Sequence, residues 1–350
     1  MLYRILAAGL LVLSGCTPAR ATAGFEFLDQ HQIAPSTVLD GTVIGGLSGI
    51  SYDPAADLYY LISDERSAKG PARFYTARIT LSDNGIGDVE FVTTRPWLDR
   101  DAHPFGPLNI DVRPAVVPPD SEAIAFDARR QRLYWTSEGE RRVDGPILLD
   151  PWVRSAGLDG SFLSEFALPE ALRMSAGEHG PRRNSGLEGL TLTPDGRHLW
   201  AAMEGPTYED GPPPDEQHGA WARVIRFDAD TGAIDGRYTY PLDPVTAGPG
   251  GDNGLSDLVA LDDRNFLVVE RGYGTHVAVR IYRASLVEGS TEMTKTLLAD
   301  LTAAPGPAPL DNIEGITLGP KLADGRQAVI AVSDDNFSPT QVTQFLLFAL

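Results

Sequence analysis

The chain carries one cysteine, Cys16, in 350 residues, so disulfides contribute nothing to its fold. It has no apolar run of the roughly 20 residues that a membrane-spanning helix needs. Basic residues are outnumbered, 29 against 48 acids, which leaves a net charge of −19. A field of that sign repels a nucleic-acid duplex and a bare anionic membrane surface, and excludes nucleic acid as a partner. Helical patterning is nearly absent. Glu165–Met174 could form a short helix, although Pro169 interrupts it. Familiar catalytic motifs are missing too. No glycine-rich phosphate loop ends in Lys-Ser/Thr, and no His-Glu-x-x-His occurs. The histidines (His31, His103, His179, His198, His218 and His276) are scattered, and Asp101-x-His103 is a weak metal signal. Gly46-Leu47-Ser48-Gly49-Ile50 lacks the last glycine of a hydrolase nucleophile elbow, so Ser48 reads as structural.

The N-terminus has a positive charge at Arg4, an apolar run from Ile5 to Leu13, and Leu13-Ser14-Gly15-Cys16. This layout is a secretory signal, similar to that of bacterial lipoproteins, in which Cys16 becomes the lipidated first residue. Residues 1–15 are then the signal, 16–24 a tether and 25–350 the folded domain. The protein is expected in the periplasm, as a monomer anchored by lipid to the outer membrane. Ala19-Arg20-Ala21 would suit ordinary cleavage and plain secretion instead.

What is present is a repeat. Leu47-Ser48-Gly49-Ile50, Ser121-Glu122-Ala123-Ile124, Leu187-Glu188-Gly189-Leu190, Leu255-Ser256-Asp257-Leu258 and Ile313-Glu314-Gly315-Ile316 share one grammar. Most open an apolar strand, an Asp-containing turn (Asp53, Asp127, Asp195, Asp262) and a second strand ending on an acid: Asp64, Glu138, Glu204, Glu270 and Asp334. The distance from Ser48 to Asp64, Glu122 to Glu138 and Glu188 to Glu204 is 16 positions in each copy. Hairpins followed by two more strand-like runs make four-stranded units, which predicts an all-β propeller. Five blades can be counted, and the interval from Trp97 to Pro119 could hide a sixth. Phe25–Ile33 is expected to close the ring by pairing within the last blade, which leaves no long free edge.

In such a ring the inner strands line the channel. Glu122, Glu188 and Glu314 should stand at one mouth, with Asp257 one position out of register. Asp64, Glu138, Glu204, Glu270 and Asp334 should form an outer set around the same mouth. So many carboxylates cannot all stay charged without compensation. Calcium, which takes carboxylate and carbonyl oxygens in flexible geometry, is the expected counter-ion. The turn aspartates read as caps on backbone amides. Arg66 and Arg271 could hold an anionic group or simply pair with their neighbouring acids. Asn184, Asn253, Asn312 and Asn336 could supply neutral oxygens or serve as turn residues.

Asn184-Ser185-Gly186-Leu187-Glu188-Gly189-Leu190, Val268-Val269-Glu270-Arg271-Gly272, Asn312-Ile313-Glu314-Gly315-Ile316 and Ser333-Asp334-Asp335-Asn336-Phe337 together resemble the bacterial phytase-like family, described by an esterase-like activity of phytase. The resemblance covers roughly residues 25–350. It implies an exported propeller with phosphoesterase or esterase activity, similar to propellers in which calcium holds substrate phosphates. The leading expectation is a calcium-dependent hydrolase of a small phosphorylated substrate. Metal-bound water would attack, Glu188 or Glu314 would act as ligand or base, and Arg271 and Arg66 would stabilise charge. A non-catalytic, metal-stabilised binding propeller at the cell envelope is the alternative. A carboxylesterase lacks a recognisable nucleophile.

Overall fold

A computed structural model describes residues 24–82, 85–144, 147–303 and 306–350. The expected signal and Cys16 lie outside the described residues. Five four-stranded antiparallel sheets follow one another. The first uses Leu47–Asp53, Leu58–Ser63, Arg73–Ser82 and Gly85–Pro96, from innermost to outermost. The second uses Ser121–Asp127, Arg132–Ser137, Trp152–Ala156 and Phe162–Glu165. The third uses Leu187–Leu192, His198–Met203, Ala220–Asp228 and Ile234–Leu242. The fourth uses Gly254–Ala260, Asn265–Tyr273, Val277–Leu286 and Met293–Asp300. The fifth uses Asn312–Lys321, Gln327–Asp334, Gln344–Ala349 and, outermost, Glu26–Gln32. Each innermost strand packs against those of the two adjacent blades, so the ring is complete. The protein is a five-bladed propeller.

The expected closure is present. Glu26–Gln32 pairs antiparallel with Gln344–Ala349, and the Phe25 ring stacks on Phe348 at 5.0 Å between centroids. Phe348 is fully buried between the fourth and fifth blades. Phe348→Ala should therefore cost about 3–5 kcal/mol in a denaturant titration, the usual range for a buried phenylalanine. An exposed substitution on the N-terminal strand that pairs with it, Glu26→Ala, should cost little.

No sixth blade exists among the described residues. The 97–119 segment forms only isolated bridges, Leu98 with Pro104 and Asn109 with Val116. Its aromatic residues fill a seam instead. Trp97 stacks on Trp135 at 4.8 Å, and Phe105 lies against Trp152 between the first two blades. Each of the five blade-to-blade seams has its own apolar core, which is how sheets packed face to face bury their side chains. The helix considered at Glu165–Met174 is one 3-10 turn, Glu170–Leu172.

The two faces of the ring differ. Short turns join the first and second strands on one face. There Asp53, Asp127, Asp195 and Asp262 each accept the backbone N–H of the residue two positions on, as the structural reading expects. Long loops gather on the other face, where the inner strands begin. Along the axis, Ile50, Ile124, Leu190, Leu258 and Ile316 form an aliphatic collar of equivalent residues, all nearly inaccessible. The collar borders a cavity of about 680 Å³ that opens toward the short-turn face.

Candidate metal centre

The repeated acids owe their placement to backbone pairing. Every inner strand slips register where its motif lies: between Leu47 and Gly49, Ser121 and Ile124, Leu187 and Gly189, Leu255 and Asp257, and Ile313 and Gly315. Ser48, Glu122, Glu188, Ser256 and Glu314 therefore sit on β-bulges, which bend a strand and re-aim its side chain. Room is made for the acids by glycine. A Cβ on Gly186 would meet Glu138 Cγ at 2.4 Å, and one on Gly254 would meet Glu204 Cγ at 2.4 Å.

On the long-loop face these side chains converge on a cavity of about 470 Å³. Glu122, Glu188 and Glu314 line it, together with Asp64, Glu138, Glu204 and Asp334. Asp120 and Asp252 add two carboxylates that sequence reasoning missed, and Arg271 is the one cation among the described lining residues. The cavity shares no lining residue with the one beyond the collar.

Arg271 is a nearly buried clasp. Its Nη2 lies 3.1 Å from Glu314 Oε1 and 3.4 Å from Glu204 Oε1. Its Nε is buried without a hydrogen-bond partner. Asn312 Nδ2 donates to Glu314 Oε1 at 2.8 Å, while Asn312 Oδ1 is buried and unpartnered. Glu138 Oε1 accepts the Gly186 amide at 2.8 Å, and Asp334 Oδ1 accepts that of Asn336 at 2.7 Å. Asn184 and Asn336 also line the cavity; Asn253 does not, and donates to Glu270 instead.

Crowding in a dry site raises the carboxyls. Burial, followed by repulsion from Glu188, holds Glu122 well above the ordinary range. Burial followed by Glu204 and Glu138 does the same to Glu188. Glu138, Asp64 and Asp334 are likewise pushed well up, first by burial and then by neighbouring acids. Burial raises Glu314 although Arg271 and Asn312 pull it back. Burial lifts Glu204 to about 7 against the pull of Arg271, and Asp120 to about 6 against that of Arg66.

These residues fit a hard divalent ion. Asp120, Glu122 and Glu138 place one carboxylate oxygen each within 4.8 Å of the others, and so do Glu138, Glu188 and Glu204. Glu138 belongs to both triads. The donors are all oxygens, which suits calcium or magnesium better than zinc. The unpartnered Asn312 Oδ1 is a further acceptor left without a donor in the same wall.

Two residues expected at this mouth, Asp257 and Glu270, lie elsewhere. Asp257 faces backbone, not the cavity. Its Oδ1 accepts the amides of Leu258 at 2.8 Å and Leu190 at 3.3 Å, and its Oδ2 accepts that of Ile316 at 2.9 Å. It thus satisfies inner-strand N–H groups of three blades, and burial pushes its carboxyl up despite those amides. Glu270 is one register step from the expected place. Leu255 pairs with Glu270 as Leu187 pairs with Met203, and Gly254 pairs with Arg271. Arg271 therefore takes the position held by Asp64, Glu138, Glu204 and Asp334 in the other blades. Strand alternation turns Glu270 the other way. It accepts from Tyr240 Oη at 2.8 Å and Asn253 Nδ2 at 2.9 Å, and it pairs with Lys295. Arg66 is on the rim, 3.1 Å from Asp120 Oδ2 and 2.9 Å from Glu140 Oε2.

Comparison with known proteins bears on this geometry. No curated protein matches the chain. Solved structures resemble it at low identity. A β-1,3-galactosidase of glycoside hydrolase family 43 is 11% identical, with 90% of this chain and 93% of that one covered and a TM-score of 0.49. A thermostable family-43 glycoside hydrolase is 12% identical, with coverage of 88% and 90% and a TM-score of 0.47. The periplasmic gluconolactonase of Pseudomonas aeruginosa is 13% identical, with coverage of 88% and 90% and a TM-score of 0.40. The family model described as esterase-like activity of phytase matches residues 42–337, a span that takes in every motif residue at the cavity, and the chain belongs to this phytase-like family.

Proposed function

We propose that the protein is an exported, calcium-dependent hydrolase of phosphate monoesters, acting at the long-loop mouth of its channel. One observation carries this reading: the cavity is walled by carboxylates and one arginine, with no serine, threonine, cysteine or histidine among its described lining residues. With calcium held among those oxygens, the attacking group in this reading is water. Calcium held by Asp120, Glu122, Glu138, Glu188 and Glu204 would reverse the local sign for a phosphate and acidify a water. The chain's own groups supply the rest. Glu188, held above the ordinary carboxylate range by burial and by its acidic neighbours, would serve as ligand or as general base. Arg271, fixed to Glu314 through Nη2, would stabilise charge on the ester oxygens. Arg66 offers a second guanidinium from the rim. The signal-like N-terminus supports export and a lipid anchor at Cys16.

The test is a panel of phosphate and carboxylate esters assayed with calcium and after chelation. Phosphate release should require calcium, and Glu188→Gln should lower kcat by about a hundredfold or more, within the range for a lost general base. Turnover untouched by chelator would sink the metal mechanism. No hydrolysis of any ester, with Glu188→Gln and Glu314→Gln lowering only the melting midpoint, would favour the non-catalytic binding propeller.

A further inference from the structure

Two arginine doublets, Arg141-Arg142 and Arg182-Arg183, meet at the second-blade rim of the cavity. The first member of each is consumed by the fold. Arg141 donates to the carbonyls of Ser175 and Gly177, both at 2.8 Å. Arg182 donates to those of Pro206, Thr207 and Gly211 at 2.7 to 2.9 Å. Both guanidiniums lie over Tyr208, at 5.0 and 4.3 Å from its centroid, and so tie the two segments together.

The second members are presented rather than consumed. Arg142 Nε and Arg183 Nε each stand 3.5 Å from Glu140, on its Oε2 and Oε1 respectively. Their side chains are 40% and 57% exposed, whereas Glu140 is 2% exposed. Their Nη groups have no other partner among the described residues. Arg66 Nη2 reaches the same Glu140 carboxylate at 2.9 Å, and its Nη1 reaches Asp120 on the cavity wall. Three guanidiniums thus face two carboxylates, Glu140 and Asp120, a local excess of one positive charge on a chain of net charge −19.

We propose that Arg66, Arg142 and Arg183 form an oxyanion-binding subsite beside the acidic cavity. The substrate class is then an ester carrying a second anionic group, phosphate or carboxylate, away from the reacting one. This deepens the hydrolase reading and rests on it for the word substrate; the anion site itself stands on the arginines alone. Planar guanidinium forks suit both kinds of oxyanion. The orientation follows from the placement. With one anionic group drawn to the cavity, the second reaches the rim through the Asp120 side.

The experiment titrates methylphosphonate and, separately, succinate into the full chain by NMR. Each titration is run once with calcium and once on metal-free protein. Arg142→Ala/Arg183→Ala should weaken binding about tenfold in both conditions, with an unchanged melting midpoint because both residues are exposed. Glu140→Gln should strengthen binding by removing the competing carboxylate. The stronger probe identifies the anion. Binding by the double variant within twofold of wild type, or no binding of either probe, overturns the subsite. The hydrolase reading fails separately, on absent turnover, and leaves this titration interpretable.

Discussion

Calcium added to the metal-free protein at pH 8 should raise its melting midpoint by about 16 °C, and at pH 5 by much less. The size follows from mass action. A site at a thousandfold excess of ligand over its dissociation constant contributes about 4 kcal/mol, and two such triads about twice that. In a chain of this length each kcal/mol moves the midpoint by roughly 2 °C. The pH dependence comes from the raised carboxyls. Their folded values, about 7 for Glu204 and about 6 for Asp120, lie above the ordinary value near 4. Such a group favours the fold fully below about pH 4, and that contribution is lost as pH rises through about 6 and then about 7. The metal-free midpoint should therefore fall between pH 5 and pH 8. A divalent ion replaces the protons, so the calcium-loaded midpoint should stay level over the same span. Glu138→Gln should remove more than half of the gain, because both triads use that carboxylate. Calorimetry across pH, with and without chelator, reads all three effects. A metal-free midpoint that rises toward pH 8 would contradict the mutual repulsion.

Asp257→Ala should do the opposite: lower the midpoint by about 10 °C while leaving calcium affinity within about threefold. Removing its carboxylate leaves the buried amides of Leu190, Leu258 and Ile316 without an acceptor. Each orphaned donor costs roughly 1–3 kcal/mol, so about 5 kcal/mol in all is expected. These amides lie on the channel-facing edge of inner strands, where no further strand can pair with them. Denaturant unfolding measures the loss, and a calcium titration of the folded variant measures the affinity. Comparable losses of calcium affinity in Asp257→Ala and Glu138→Gln would mean that Asp257 is a ligand after all.

Much of the ring was legible because a propeller repeats its grammar. Hairpins announce themselves by an Asp turn between apolar runs, and the closing strand by its lack of any other partner. The sixth-blade option arose because the first interval between repeats is long; the side chains of Trp97 and Phe105 within it serve a seam between sheets, which only tertiary packing reveals. The bulges were not legible, since they are a property of pairing. The Glu270 register could have been read. Measured from the turn aspartate, Glu204 lies nine positions after Asp195, and nine positions after Asp262 stands Arg271. Counting from Ser256 to the nearest acid hid that match. Asp120 escapes a motif that begins at Ser121, although Asn312, a candidate oxygen ligand, holds the equivalent place before Ile313-Glu314. The arginine doublets carry no repeat signal at all. Tyr208, distant in sequence from both, is what brings them together.

The aliphatic collar has a kinetic consequence. Ile50, Ile124, Leu190, Leu258 and Ile316 border the cavity beyond, which shares no lining residue with the acidic one, so whatever enters the acidic cavity should leave by the opening it came through. A bound anion lying across that opening would stand between the ions and solvent. Ions would have to enter first and depart last, an ordered sequence in which substrate slows the release of its own metal.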